Sequence, residues 1–247
     1  MKPGSSSIIW SIVRFRAAAP EPTIAGVPVT LRTAPNARRL RLKVDPRTRT
    51  VILTVPRRVS RRRALDWAAG HRAWIERALA EIPPPAALQP GASVPLHGTP
   101  HVIDWDSSRP RTASLEPGRI RIGGPLETLE PRILRWLRRE AHALLGQETH
   151  EFAAKAGVSV TRVGVGDPLS RWGSCSSQGS IRYSWRLILA PDWVRRATVA
   201  HEVAHRVHLN HGSAFHALVE ELLESDPKPA RLWLRRHGAS LHRIGRG

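Results

Sequence analysis

His201-Glu202-Val203-Ala204-His205-Arg206-Val207-His208-Leu209-Asn210-His211 is the stretch on which the reading of this chain turns. On a helix His201 and His205 stand one turn apart, about 6 Å along the axis, with both imidazoles on one face. Glu202 is rotated from them by roughly 100°, which sets its carboxylate beside a metal held by the two histidines and not on it. That placement suits a carboxylate that takes a proton from a metal-bound water. A closed structural zinc site is usually built from cysteine and histidine, and this chain has one cysteine. The stretch points to a catalytic zinc centre and a hydrolase.

The helix is expected to start at Pro191-Asp192 and to stop at Asn210, ahead of His211 and Gly212. Ala197, Ala200, Val203, Ala204 and Val207 form an apolar stripe along it, while His201, His205 and His208 fall on another. On a continuing helix His208 lies about 10 Å from His201, too far for one ion to bond both at about 2 Å. A turn at Asn210 swings His211 back, so His201, His205 and His211 are the expected zinc ligands, with Glu202 as the catalytic base. The rival third ligand is a carboxylate of the next helix, Glu220, Glu221 or Glu224, as in His-His-Glu zinc enzymes. A solvated acidic face is the alternative account of those three.

A chain of 247 residues can bury the core of one large or two modest domains. Cys175 alone permits no intrachain disulfide and fits a reducing compartment, so a cytoplasmic location is expected. No run of eighteen apolar residues is present, so no membrane-spanning helix and no membrane partner is expected. Residues 1–20 loosely imitate a signal peptide, but the apolar run 8–13 is short and Arg14 and Arg16 follow it. Residues 1–25 are read instead as a disordered or poorly ordered segment.

Thirty-nine Lys and Arg stand against 20 Asp and Glu, a net charge of +19. Such an excess can serve nucleic acid, anionic membranes or acidic substrates. Yet lysine occurs only at 2, 43, 155 and 228, and an arginine bias of that degree also follows from a G+C-rich coding preference. Neither a helix-turn-helix, a zinc-finger spacing nor an aromatic RNA-binding signature is present. Nucleic acid stays open as a partner but is not favoured over a peptide or protein substrate, and the oligomeric state is not legible.

The pattern of elements gives an α+β fold. Leu40, Leu42 and Val44 alternate with Arg39, Arg41 and Lys43, and Val51, Leu53 and Val55 repeat the alternation after Asp45-Pro46-Arg47, which predicts a hairpin. Ser60 caps a helix expected to run to about Ile82, where Pro83-Pro84-Pro85 ends it. Short strands are predicted at 93–96, 101–105 and 119–122. From 129 to 156 a long helix follows, then strands at 159–165 and 181–189, the metal helix, and helices from Ser213 to about Ser225 and from Pro229 to about His237. Residues 26–125 are thus read as a β-rich amino-terminal subdomain with one helix. Residues 126–247 are read as a zincin-like subdomain with a small sheet and a metal-bearing helix.

The block Arg171-Trp-Gly-Ser-Cys-Ser-Ser, with Gly179-Ser-Ile-Arg182, Trp185-Arg-Leu-Ile-Leu-Ala-Pro191, the metal motif and Asn210-His211, resembles the YgjP-like zinc metallopeptidase family, relatives of the SprT-type peptidases. The likeness is strongest over 160–225. The Arg-rich hairpin, Val-Pro56 and His71-Arg-Ala-Trp-Ile75 extend it toward the amino terminus. The resemblance implies zinc on His201, His205 and His211, and Glu202 as the catalytic acid/base. Phe215-His216 stands where the family often has Phe-Trp, and Tyr183 replaces a more usual aliphatic residue; both changes bear on the cleft wall.

Within that block Gly173 permits close backbone approach, and an exposed strand edge there would pair with an extended peptide. The alternative is a tight bulge that packs Trp172 into the core. Cys175 is read as a small buried residue. Arg186, Tyr183 and His216 are candidates for steadying a tetrahedral oxyanion, and no spacing selects among them. Besides a peptidase, two readings stay open: a metal-dependent hydrolase of a nucleoside triphosphate or other phosphoanhydride, and a nucleic-acid-associated protein whose metal site is secondary.

Overall fold

A computed structural model describes residues 22–45, 48–82, 84–168 and 170–245. Most of the expected poorly ordered segment, 1–21, lies outside them, as do Pro46, Arg47 and Pro83. The fold is α+β, and among the described residues it holds six helices and three small sheets. No described helix is long and apolar enough to cross a membrane.

The chain divides into two compact units between Leu79 and Ala80. The first contains β1 (Thr23–Ile24), β2 (Val27–Ala34), β3 (Arg41–Asp45), β4 (Thr50–Pro56), α1 (Arg61–Ala69) and most of α2 (Arg72–Ala80), with the sheet in the order β1-β2-β4-β3. The predicted hairpin is β3 and β4, paired antiparallel with Leu42 opposite Leu53 and Val44 opposite Val51. Val51, Leu53 and Val55 are buried, as their alternation requires. β2, parallel to β4, was not legible, because Pro28 interrupts a pattern that otherwise reads as a strand. Pro28 is tolerated near the strand's start, opposite the two-residue β1.

The single helix expected over 60–82 is two. Ser60 Oγ accepts from the Arg63 N–H at 3.3 Å, the predicted cap. At Gly70-His71 the helix breaks. Glycine is the weakest helix former after proline, and the His71 imidazole donates to the Trp67 carbonyl at 2.8 Å. That carbonyl is the one a continuous helix would bond to the His71 amide, which turns to Ala68 instead.

The second unit opens with β5 (Ser93–Leu96), β6 (Thr99–Trp105), β7 (Ser114–Glu116) and β8 (Arg119–Ile122), in the order β5-β6-β8-β7. The sequence pattern places these strands with the first sheet. Their apolar faces, Val94, Ile103, Ile120 and Ile122, instead share one core with the helices that follow. Those are α3 (Leu129–Lys155), α4 (Asp192–Ala204), α5 (Ser213–Leu223) and α6 (Lys228–Arg243). Between α3 and α4 lie β9 (Arg162–Gly166), β10 (Gly173–Cys175) and β11 (Ser180–Ser184), a sheet with β11 in the middle. The strand expected over 181–189 ends at Ser184, and residues 185–189 form a fully buried 3-10 turn capped by Ser184. A short apolar run does not distinguish these two outcomes.

Two contacts fix α4. β5 and β6 are joined by His97-Gly98, both at positive φ (53° and 76°), the type I′ turn that suits a tight hairpin. The turn docks beside Pro191 at the start of α4, so closely that a Cβ on Gly98 would lie 2.8 Å from the proline ring. On α4 itself, buried Arg195 grips Glu148 of α3 at 2.8 Å and donates to Asp192 at 2.7 Å. Its remaining contact is with His97 Nδ1 at 3.0 Å.

Candidate metal centre

α4 carries small and β-branched residues where it meets the core: Ala197, Val199, Ala200, Val203 and Ala204 are buried. It ends at Ala204, six residues before the expected stop at Asn210. Val207 is consequently 46% exposed and leaves the predicted apolar stripe. His205 nevertheless keeps helical dihedrals (φ −66°, ψ −11°), so it still projects beside His201. A turn made by the amides of Arg206, Val207 and His208 then reverses the chain.

That turn has two results. The His208 carbonyl comes to 3.1 Å from His205 Nδ1. A carbonyl only accepts, so Nδ1 carries the proton and Nε2 keeps its lone pair. His211 swings back until its Nε2 stands 3.2 Å from His201 Nε2. One nitrogen each from His201, His205 and His211 lies within 4.8 Å of the others. A tetrahedral ion with bonds of about 2.0–2.1 Å holds neighbouring nitrogens roughly 3.3 Å apart, so the donor set fits a metal. Burial, then the neighbouring imidazoles, pushes the His201 pKa down to about 4, which keeps its ring neutral and able to donate a lone pair. The same causes lower His211.

Neither rival joins this group. The His208 ring is outside it, and Glu220 and Glu221 on α5 and Glu224 just past its end are exposed, with Glu224 paired to Lys155 at 3.3 Å. Beneath the three imidazoles lies a residue that sequence reasoning missed. Phe215, fully buried, places its ring centroid 4.9, 4.6 and 4.7 Å from those of His201, His205 and His211. It limits how the rings can turn.

Glu202 projects from α4 into the same cleft as His201 and is 6% exposed. Burial raises its carboxyl to about 7, against the pull of Arg171. Its neighbour across the cleft is Gly173, where a Cβ would lie 2.5 Å from Glu202 Oε1. The close approach anticipated at Gly173 is therefore made by the Glu202 side chain. Both alternatives for the segment hold in part: β10 is an edge strand, paired among the described residues only with β11, and Trp172 leans on α6. There a Cβ on Gly238 would meet the indole at 2.7 Å, and the His242 ring lies 4.9 Å away.

The cleft encloses about 300 Å³. Ala197, Val219, Pro227, Ala230 and Leu234 give it an apolar wall, with Arg171 and Arg231 among its lining. Of the three oxyanion candidates, only His216 lines it. Tyr183 is wholly buried with its hydroxyl 3.0 Å from Thr149 Oγ1. Arg186 is buried too, gripping Asp167 and donating to the Leu241 and Ile244 carbonyls, where it fastens the end of α6. Cys175 is half-buried against the core, and burial raises its thiol pKa. Arg231 had no signal in the sequence, since nothing in the spacing of α6 marks the face that meets the cleft.

A family model described as YgjP-like, metallopeptidase domain, matches residues 38–237. No curated protein and no solved structure matches the chain.

Proposed function

The chain belongs to the YgjP-like metallopeptidase family, which makes it in general terms a metal-dependent peptidase, and from that premise we propose a zinc peptidase with His201, His205 and His211 as ligands and Glu202 as the proton-transferring base. The observation that carries this reading is the convergence of three imidazole nitrogens, one of which, that of His201, lines the same cleft as the buried Glu202 carboxylate. Three imidazole nitrogens and no thiolate leave a fourth position open, the pattern of a catalytic zinc and not of a structural one. Zinc bound there would supply an acidified water and an electrophile for the scissile carbonyl.

The chain's own residues do the rest. Glu202 takes the proton of the attacking water and returns it to the departing amine. Its dry position beside Gly173 restricts the carboxylate to a narrow range of orientations. Phe215 and the His208 carbonyl orient the ligand imidazoles, the role that surrounding groups play at metal sites generally. The cleft's aliphatic wall suits an apolar side chain of a peptide. A triphosphate asks for a dense set of donors, and among the described residues Arg171 and Arg231 are the only cationic side chains in the lining besides histidine.

The test is hydrolysis of an unfolded protein and of nucleoside triphosphates, each with and without a chelator. Chelator-sensitive cleavage of the protein alone is expected. Glu202→Gln should lower turnover by about 10²–10⁴ with zinc content unchanged. Activity that survives loss of zinc, or an active Glu202→Gln, defeats the assignment.

A further inference from the structure

Positive charge is concentrated in the first compact unit. Residues 22–79 carry 14 arginines and lysines against three acidic residues, whereas residues 80–247 carry 22 against 16. Within this unit a groove of about 1130 Å³ is lined by Arg38, Arg39, Arg57, Arg58, Arg63 and Trp67. The two arginine pairs follow the carboxyl ends of β2 and β4, which run parallel. Arg63 and Trp67 stand one turn apart on α1, so they share a face. Among the described residues none of the five guanidiniums has an ion pair or a side-chain hydrogen bond, while the nearby Arg72 is already paired with Glu76 at 2.8 Å. All five are exposed, and Trp67 is half-buried with the His71 ring 4.2 Å from its own.

Five unneutralised charges around one concavity repel one another, and a polyanion relieves that repulsion. We propose that the groove binds single-stranded nucleic acid, with the guanidiniums on successive phosphates and Trp67 stacked on a base. An indole among arginines is suited to an unpaired base, a contact that a duplex withholds. A lipid surface is met by a convex or flat face with apolar residues to insert, and this face is concave and charged. The groove belongs to the first compact unit and the metal centre to the second, and the proposal does not depend on the peptidase reading.

The experiment is fluorescence anisotropy with a labelled mixed-sequence strand of about 20 nucleotides, as RNA and as DNA, titrated with the full chain between about 50 and 300 mM salt. Each phosphate contact contributes about −0.7 to the slope of log K against log salt, so five arginines give a slope of about −3.5. Substituting Arg38→Gln, Arg57→Gln and Arg63→Gln together should weaken binding at least about tenfold and reduce the slope by about 2. Arg58→Gln alone should reduce it by about 0.7, a smaller change that spares the fold. Trp67→Leu should weaken binding about fivefold or more with the slope unchanged, and Trp67→Phe should restore most of it. Wild-type affinity in the triple variant overturns the proposal. So does equal binding to a duplex of the same length, to an acidic polypeptide or to anionic vesicles.

Discussion

The backbone of Gly173 lies against the Glu202 carboxylate with no room between them for a methyl group. Gly173→Ala should therefore displace the carboxylate while leaving the three imidazoles alone. Hydrolysis should fall on the order of 100-fold, the lower range for losing a general base, with bound metal unchanged. Equal activity in the variant, or parallel loss of metal and activity, would refute the separation of roles.

His208 acts through its main chain and His211 through its ring. His208→Ala keeps the carbonyl that orients His205, so metal affinity should stay within a few-fold of wild type. His211→Ala removes a nitrogen from the donor set and should weaken metal binding by far more than the roughly 10- to 100-fold typical of residues outside it. Competition with a chromophoric chelator measures both. The reverse order of effects would move the third ligand.

Arg195 and Glu148 are a buried pair, 3% and 5% exposed, that ties α4 to α3. Removing Glu148 leaves the buried Arg195 with the exposed Asp192 as its one carboxylate partner among the described residues. Glu148→Leu should destabilise by about 3–5 kcal/mol in urea unfolding, and replacing both residues by well-packed apolar ones should recover much of that loss. A single variant within experimental error of wild type would show that the pair contributes nothing.

His97 carries a pH dependence of stability. Burial, then the charge of Arg195, lowers its pKa below 6.5, outweighing the attraction of Asp192. The unfolded chain then takes up the proton at a higher pH than the folded one. Stability is full above pH 6.5 and falls as the pH drops below it. His97→Asn preserves the left-handed turn, since asparagine tolerates positive φ. With metal saturating both proteins, the urea midpoint should decline less in the variant than in wild type between about pH 7.5 and 5.5. Identical declines would remove His97 as the source.

The sequence carries the local order of this fold well and its joins poorly. The β3–β4 hairpin, α3 and the ligand spacing all follow from periodicities of 2 and 3.6. The breaks do not. His71 stops a helix by taking a backbone carbonyl, and residues 185–189 turn within a run as apolar as a buried strand. At the site, His201, Glu202 and His205 sit at fixed offsets within one helix and are readable, and His211 follows from the turn signal after them. Phe215, Arg231 and the true neighbour of Gly173 depend on how separate elements pack, which no spacing encodes. The end of α4 is not readable from the pattern, because Val207 continues the stripe in sequence after the backbone has left the helix.

The three imidazoles come from eleven consecutive residues, whereas the wall that confines Glu202 comes from a strand nearly thirty positions earlier in the chain. On the proposed roles, loading with metal and competence for hydrolysis are two separate attainments of the polypeptide. The first draws its ligands from a short local segment, and the second waits on the docking of β10 against α4. A preparation fully occupied by metal can be inert, so metal content does not measure the fraction of correctly folded enzyme.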